Sequence, residues 1–152
     1  MKYQLKLENK ESTILFGKTF AKVIVPNLVI VLLGDLGSGK TTFTQGVALG
    51  LNIKEEVKSP TFAIINIYEG TLPLFHFDVY RLQDNLQDLG FNEYFYAGGV
   101  SIIEWGNIIK QYLPEEYLII TFAYKEHYRT ALIETNKYEK ELKDFIRLWE
   151  QL

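Results

Sequence analysis

The sequence predicts a single α/β sandwich built on a mixed parallel and antiparallel sheet, and three observations carry that expectation. A continuous apolar run at residues 28–33 (LVIVLL) leads straight into a glycine-rich loop and then a helical pattern. Two pairs of short strand-like segments, at 62–80 and 118–135, read as hairpins. The 152 residues, 47% hydrophobic and 14% aromatic, have the size and apolar content of one compact domain spanning 1–152.

Taken in order, residues 11–24 (ESTILFGKTFAKVI) place Ile14, Phe16, Phe20, Val23 and Ile24 near helical spacing, with Ser12 or Thr13 available as a cap. Pro26 and Asn27 stop that helix. The run at 28–33 is rich in β-branched residues and suits a strand buried on both faces, as in a parallel sheet. Residues 41–49 follow the glycine-rich loop as a helix ending near Gly50 and Asn52. Residues 62–68 (FAIINIY) and 74–80 (LFHFDVY) form a hairpin around Glu69 and Gly70. Short helical turns are expected over 84–96, a strand at 100–104 (VSIIE), and a short helix at 107–113 stopped by Pro114. Residues 118–124 and 130–135 make the second hairpin, and 138–152 an amphipathic closing helix.

Composition narrows the function. A formal net charge of −3 offers no broad attraction to phosphodiester backbones. The chain has no cysteine, which excludes disulfides, thiolate metal sites and a cysteine nucleophile. Residues 1–13 interleave charges with apolar residues and lack the apolar core of a secretory signal, and the apolar stretch at 23–33 is broken by Pro26 and Asn27, well short of the roughly 20 residues that span a bilayer. The expectation is a soluble, cytoplasmic protein with no membrane association.

The strongest chemical signal is GDLGSGKT, from Gly34 to Thr41, which matches G-x-x-x-x-G-K-[ST]. Glycines let backbone N–H groups converge on phosphate oxygens with no Cβ in the way, and the helix that follows adds its own free amides and dipole. The amides of Leu36, Gly37, Ser38, Gly39, Lys40 and Thr41 are the candidate cradle. Lys40 is expected to reach the β- and γ-phosphates, and the Thr41 hydroxyl to ligate Mg²⁺, with Thr42 as a weaker second candidate. With Gly at about 7% of residues, composition alone produces the pattern in roughly 0.5% of chains this long. Flanked by its strand and helix, the loop predicts ATP and Mg²⁺ as ligands and a three-layer sandwich of the P-loop NTPase type.

Two strands end in an acid after apolar residues, LFHFD at Asp78 and VSIIE at Glu104, and either can supply the second carboxylate near Mg²⁺. Glu104 closes the more apolar strand and precedes Trp105, which favours it for the metal and leaves Asp78 to orient or activate the attacking water. The alternative for each is an ordinary strand-end carboxylate facing solvent. Ser59-Pro60-Thr61 is either a nucleotide-sensing segment, with Thr61 among the candidate contacts, or a plain extended turn set by its proline. Trp105 is expected near the nucleotide or at a gate. His76, alternating with Phe75 and Phe77, reads as structural, and with His127 distant in sequence a histidine metal site has little support. Asn136-Lys137-Tyr138-Glu139 mimics a guanine-reading N-K-x-D element, but its acid is Glu and only 13 residues follow, which disfavours a GTPase. The ten tyrosines are dispersed without basic clustering and fit packing better than nucleic-acid stacking.

In order along the chain, GDLGSGKTT, KSPTF, FHFDVYR and IIEWG closely resemble the TsaE (YjeE) family, the ATPase component of bacterial threonylcarbamoyladenosine synthesis on tRNA. The resemblance runs from about residue 12 to residue 129 and does not cover the closing helix. It implies that Lys40 and the loop amides bind phosphates, that Thr41 and Glu104 bind magnesium, that residues 59–61 form a nucleotide-responsive switch, and that Asp78 is a functional acid. It also implies that Thr13 lies near the base, although Phe16-Gly17 stands where the family has Leu-Gly, and that Arg129 lies near the nucleotide. Family members act with TsaB and TsaD, so tRNA is expected to meet this chain only through the assembly. Two other classes compete: a small-molecule kinase using the same loop, for which Arg81, Arg129 and Arg147 make no arginine-rich lid, and a nucleotide-dependent binding module that does not hydrolyse.

Overall fold

The computed structural model describes residues 1–60 and 63–152, so the expected contact at Thr61 and the start of the strand expected from residue 62 lie outside the described residues. Strand β1 (Lys2–Leu7) is followed by helix α1 (Lys10–Ala21), strand β2 (Val29–Leu33) and helix α2 (Lys40–Gly50). Strands β3 (Ile65–Tyr68) and β4 (Leu74–Asp78) lead through a 3-10 turn at Tyr80–Gln83 to the short helix α3 (Phe91–Phe95) and strand β5 (Val100–Glu104). A second 3-10 segment, Gly106–Tyr112, precedes β6 (Leu118–Tyr124), β7 (Arg129–Glu134) and the closing helix α4 (Glu139–Glu150).

These strands form one seven-stranded sheet in the order β1-β7-β6-β2-β5-β4-β3. The centre is parallel, β2 lying between β6 and β5, with β4 beyond β5. Both margins are antiparallel, β3 on β4 and the β6-β7-β1 meander. This is the mixed sheet expected, and β2 is buried along nearly all its length, as a central parallel strand must be.

Helices α1, α2 and α4 cover one face through Phe16, Phe20, Phe43, Val47, Leu142 and Phe145. Helix α3 and the two 3-10 segments cover the other through Leu82, Phe91, Phe95 and Ile109. The result is the three-layer sandwich expected of a P-loop fold. Because strand side chains alternate, Leu74 and Ile102 face α1 and α2 while Phe75, Phe77 and Ile103 face α3. That alternation puts His76, Asp78 and Glu104 on the side of the sheet that carries α2.

Two local expectations shift. The first helix starts at Lys10 and is capped by Asn9, whose side chain accepts from the Ser12 amide at 2.8 Å while Ser12 Oγ accepts from the Asn9 amide at 3.1 Å, so Ser12 is the third residue of a capping box and not its cap. Strand β1 was not among the expected elements. Its KYQLKL alternation buries Leu5 and Leu7, and it pairs with β7 from Lys2↔Glu134 to Leu7↔Arg129.

Candidate nucleotide site

The loop between β2 and α2 turns on left-handed glycines: Gly39 has φ of 118° and is the N-cap of α2, with no side-chain hydrogen bond capping the helix. Among the described residues the first-turn amides of α2 therefore have neither an intrahelical partner nor a side-chain cap, which is what an anion requires. At Gly34 a Cβ would lie 2.6 Å from Ser38 Oγ and 2.7 Å from the Phe122 carbonyl, so the loop closes tightly on β6 only because that side chain is missing. Ser38 Oγ is buried and meets no hydrogen-bond partner among the described residues, an unmet polar group inside the loop.

A cleft of about 260 Å³ lies against this loop, lined by Leu36, Gly37, Gly39, Lys40, Thr41, Thr42, Ser59, Asp78, Glu104, Trp105 and Arg129. It sits at the carboxyl ends of the parallel strands, where open α/β sheets bind ligands. The register pairs Asp78 directly with Glu104 and Glu104 with Leu32, so both candidate acids converge beneath the loop from neighbouring strands.

The two acids are held differently. Glu104 is 4% exposed and accepts from Thr41 Oγ1, at 3.1 Å to Oε2 and 3.3 Å to Oε1. Its Oε2 also lies 2.6 Å from His76 Nε2. Ser59 Oγ is 2.8 Å from Thr41 Oγ1. Since Thr41 spends its one proton on Glu104, Ser59 donates to Thr41, and the order is Ser59 to Thr41 to Glu104. Asp78 is half-buried, with Oδ1 accepting from the Tyr80 amide at 3.1 Å. Burial pushes its carboxyl above the usual range and the Glu104 charge adds to this, against the Tyr80 amide, His76 and Lys40.

Lys40 is 4% exposed; its ammonium donates to the Gly34 carbonyl and sits 3.7 Å from the centroid of the Trp105 ring. Burial lowers its pKa, opposed by the carboxylates of Glu104, Asp78 and Asp35. Trp105 takes a left-handed conformation, φ 64°, which costs a side-chain-bearing residue about 1–2 kcal/mol and turns its indole back against Lys40 and Tyr80. On the far side of the loop, Tyr124 donates to the Gly37 carbonyl at 2.5 Å and accepts from Arg129 at 2.7 Å, so Arg129 reaches the loop edge through a tyrosine.

Most of the residues singled out in the sequence thus converge on one cleft. Thr13 does not line it: it is wholly buried behind the loop, its methyl close to the Cβ position of Gly39 and its hydroxyl directed to the Asn9 carbonyl at 3.5 Å. Asn136 and Lys137 line a separate pocket with Met1 and Lys2 at the opposite end of the sheet. Sequence reasoning missed the bond from His76 to Glu104 and the Tyr124 bridge. The first was readable in LFHFD, where alternation places His76 on the same face as Asp78.

The donor set fits magnesium. Thr41 Oγ1 and the Glu104 carboxylate are hard oxygen donors 3.1–3.3 Å apart, close to the roughly 3.0 Å between adjacent ligands of an octahedral ion with bonds of about 2.1 Å.

Known proteins place this arrangement in a lineage. A family model described as "Threonylcarbamoyl adenosine biosynthesis protein TsaE" matches residues 7–132. The tRNA threonylcarbamoyladenosine biosynthesis protein TsaE of Bacillus subtilis (strain 168) is 50% identical over 113 residues, 74% of this chain and 72% of that protein. The protein of the same name from Rickettsia felis is 34% identical over 150 residues, 94% of this chain and 86% of that one. The crystal structure of Bacillus subtilis YdiB superposes with a TM-score of 0.82 at 36% identity, covering 97% of this chain and 95% of that one. With a family match over most of its length and the phosphate loop, strand-end acids and sheet order on one scaffold, the chain belongs to the TsaE family of tRNA threonylcarbamoyladenosine biosynthesis.

Proposed function

We propose that this chain is a Mg²⁺-dependent ATPase that works with TsaB and TsaD in transferring threonylcarbamoyl to the adenosine beside the tRNA anticodon. One observation carries the reading: an uncapped helix N-terminus, a lysine, and a hydroxyl–carboxylate pair suited to a divalent cation all line one cleft at the carboxyl edge of the sheet.

The amides of Leu36, Gly37, Ser38, Gly39, Lys40 and Thr41 cradle the phosphates, with Thr42 beside them. Lys40 exchanges the Gly34 carbonyl for the β- and γ-phosphate oxygens, from its place against the Trp105 ring. Arg129 and Thr61 are proposed contacts to the nucleotide, and Thr13 shapes the loop on the base side. Thr41 and Glu104 would hold the magnesium ion, which when bound would neutralise charge on the phosphates. Asp78 orients the attacking water and takes its proton; its raised pKa suits a proton acceptor, whereas Glu104 is already engaged by two donors. Water adds to the γ-phosphorus, the bond to the bridging oxygen breaks, and ADP and phosphate leave.

The Ser59 hydroxyl, 2.8 Å from Thr41, feels any change in what Thr41 contacts, which supports reading residues 59–61 as the segment that reports the nucleotide state to a partner. The net charge of −3 agrees with tRNA being held by the assembly. Among the described residues no helix is long and apolar enough to cross a membrane, and we place the activity in the cytoplasm, with residues 1–152 acting as one domain.

The test is phosphate release from ATP by the chain with TsaB and TsaD. Lys40→Ala should reduce it by about 10²-fold or more, while Glu104→Ala should chiefly damage magnesium-dependent release but spare nucleotide binding in EDTA. Wild-type rates in both variants would refute the reading. Release without any acceptor molecule separates the ATPase from a small-molecule kinase.

A further inference from the structure

We propose that His76 is a positioning residue for Glu104: its Nε2–H pins the carboxylate from beneath so that, together with Thr41, it presents a fixed oxygen to the cation. The proposal rests on the reading of Glu104 as a cation ligand.

His76 is 0% exposed and stands in β4 between Phe75 and Phe77, where an aliphatic residue would pack without needing any polar partner. A buried imidazole is favourable there only through the bond it makes, and that bond is the 2.6 Å contact to Glu104 Oε2. The ring proton can be assigned. Nδ1 is buried and meets no hydrogen-bond partner among the described residues, so a proton there would be an orphaned donor, while a proton on Nε2 lies on a carboxylate oxygen.

The placement follows from the register. His76 lies opposite Ile102 and Asp78 opposite Glu104, so on the shared face His76 is one side-chain step below Glu104, on the side away from the cleft. Thr41 holds the same carboxylate from the cleft side. Two donors from two directions fix the torsions of a side chain that a single hydroxyl would leave free to turn. Groups that orient a ligand in this way commonly change metal affinity by about 10–100-fold when removed.

The experiment uses the full chain with ADP and measures Mn²⁺ affinity by electron paramagnetic resonance. Glutamine carries its amide nitrogen where Nε2 stands, and asparagine carries it short, where Nδ1 stands. His76→Asn should weaken Mn²⁺ binding by about 10-fold or more, His76→Gln should remain close to wild type, and ADP affinity in EDTA should be unchanged in both. Wild-type Mn²⁺ affinity in His76→Asn, or equal loss in His76→Gln, overturns the proposal. Glu104→Gln separates it from the reading beneath: if that variant also binds Mn²⁺ like wild type, Glu104 is not a ligand and both fall. A measurement on the wild type needs no variant to fold, since nitrogen-15 resonances of the His76 ring should report the Nε2–H tautomer, and the Nδ1–H tautomer would overturn the assignment.

Discussion

Replacing Thr41 by valine removes one hydroxyl, keeps the shape of the side chain, and tests whether that hydroxyl restrains the Glu104 carboxylate in the nucleotide-free protein. Thr41 Oγ1 donates to a carboxylate that is 4% exposed. The valine methyl takes the place of the hydroxyl, so the carboxylate loses that donor and His76 is left as the partner at Oε2. A hydrogen bond to a charged group is worth about 1.5–3 kcal/mol. For a domain of this size each kcal/mol moves the melting temperature by about 2–4 °C. Thermal unfolding without nucleotide should therefore begin about 3–12 °C lower in Thr41→Val, and urea unfolding should show a lower midpoint with an unchanged slope. A melting temperature within about 1 °C of wild type, below the smallest shift the bond should produce, would mean that Glu104 gains nothing from Thr41, and would remove the geometric basis for pairing the two as cation ligands.

Two further outcomes follow from the packing and the charges. Gly46 faces α1 so closely that an added Cβ would lie 2.3 Å from the Ile14 carbonyl and 3.0 Å from Gly17 Cα; Gly46→Ala should lower stability by about 1–3 kcal/mol despite alanine's better helix propensity, read by urea unfolding. Asp78 has a raised folded-state pKa, so the stability tied to its neutral form is present below the unfolded value of about 3.9 and is lost as pH rises through the folded value. Asp78→Asn, which keeps the Oδ1 acceptor for the Tyr80 amide, should melt higher than wild type at pH 7 and lose that advantage as the pH falls toward 3.9; equal melting temperatures at both ends would refute it.

What the sequence determined by itself was the local chemistry. Gly34 to Thr41 must form a phosphate loop because glycine conformations, a buried strand before and a helix after are all properties of neighbouring residues. Alternation in LFHFD and VSIIE likewise put an acid at the end of each strand, and KYQLKL carried the same period-two signal for β1. Only the tertiary structure decided which of these segments are neighbours. Parallel pairing of β4 with β5 joins residues 26 apart in sequence, sets Asp78 beside Glu104, and brings His76 under the latter. The β6–β7 register carries Tyr124 and Arg129 to the loop edge, and the segment after α2 brings Ser59 to Thr41. The reason is physical: an isolated strand-end carboxylate is equally content in solvent, and it becomes a held ligand only when burial removes water and particular donors from other strands take its place.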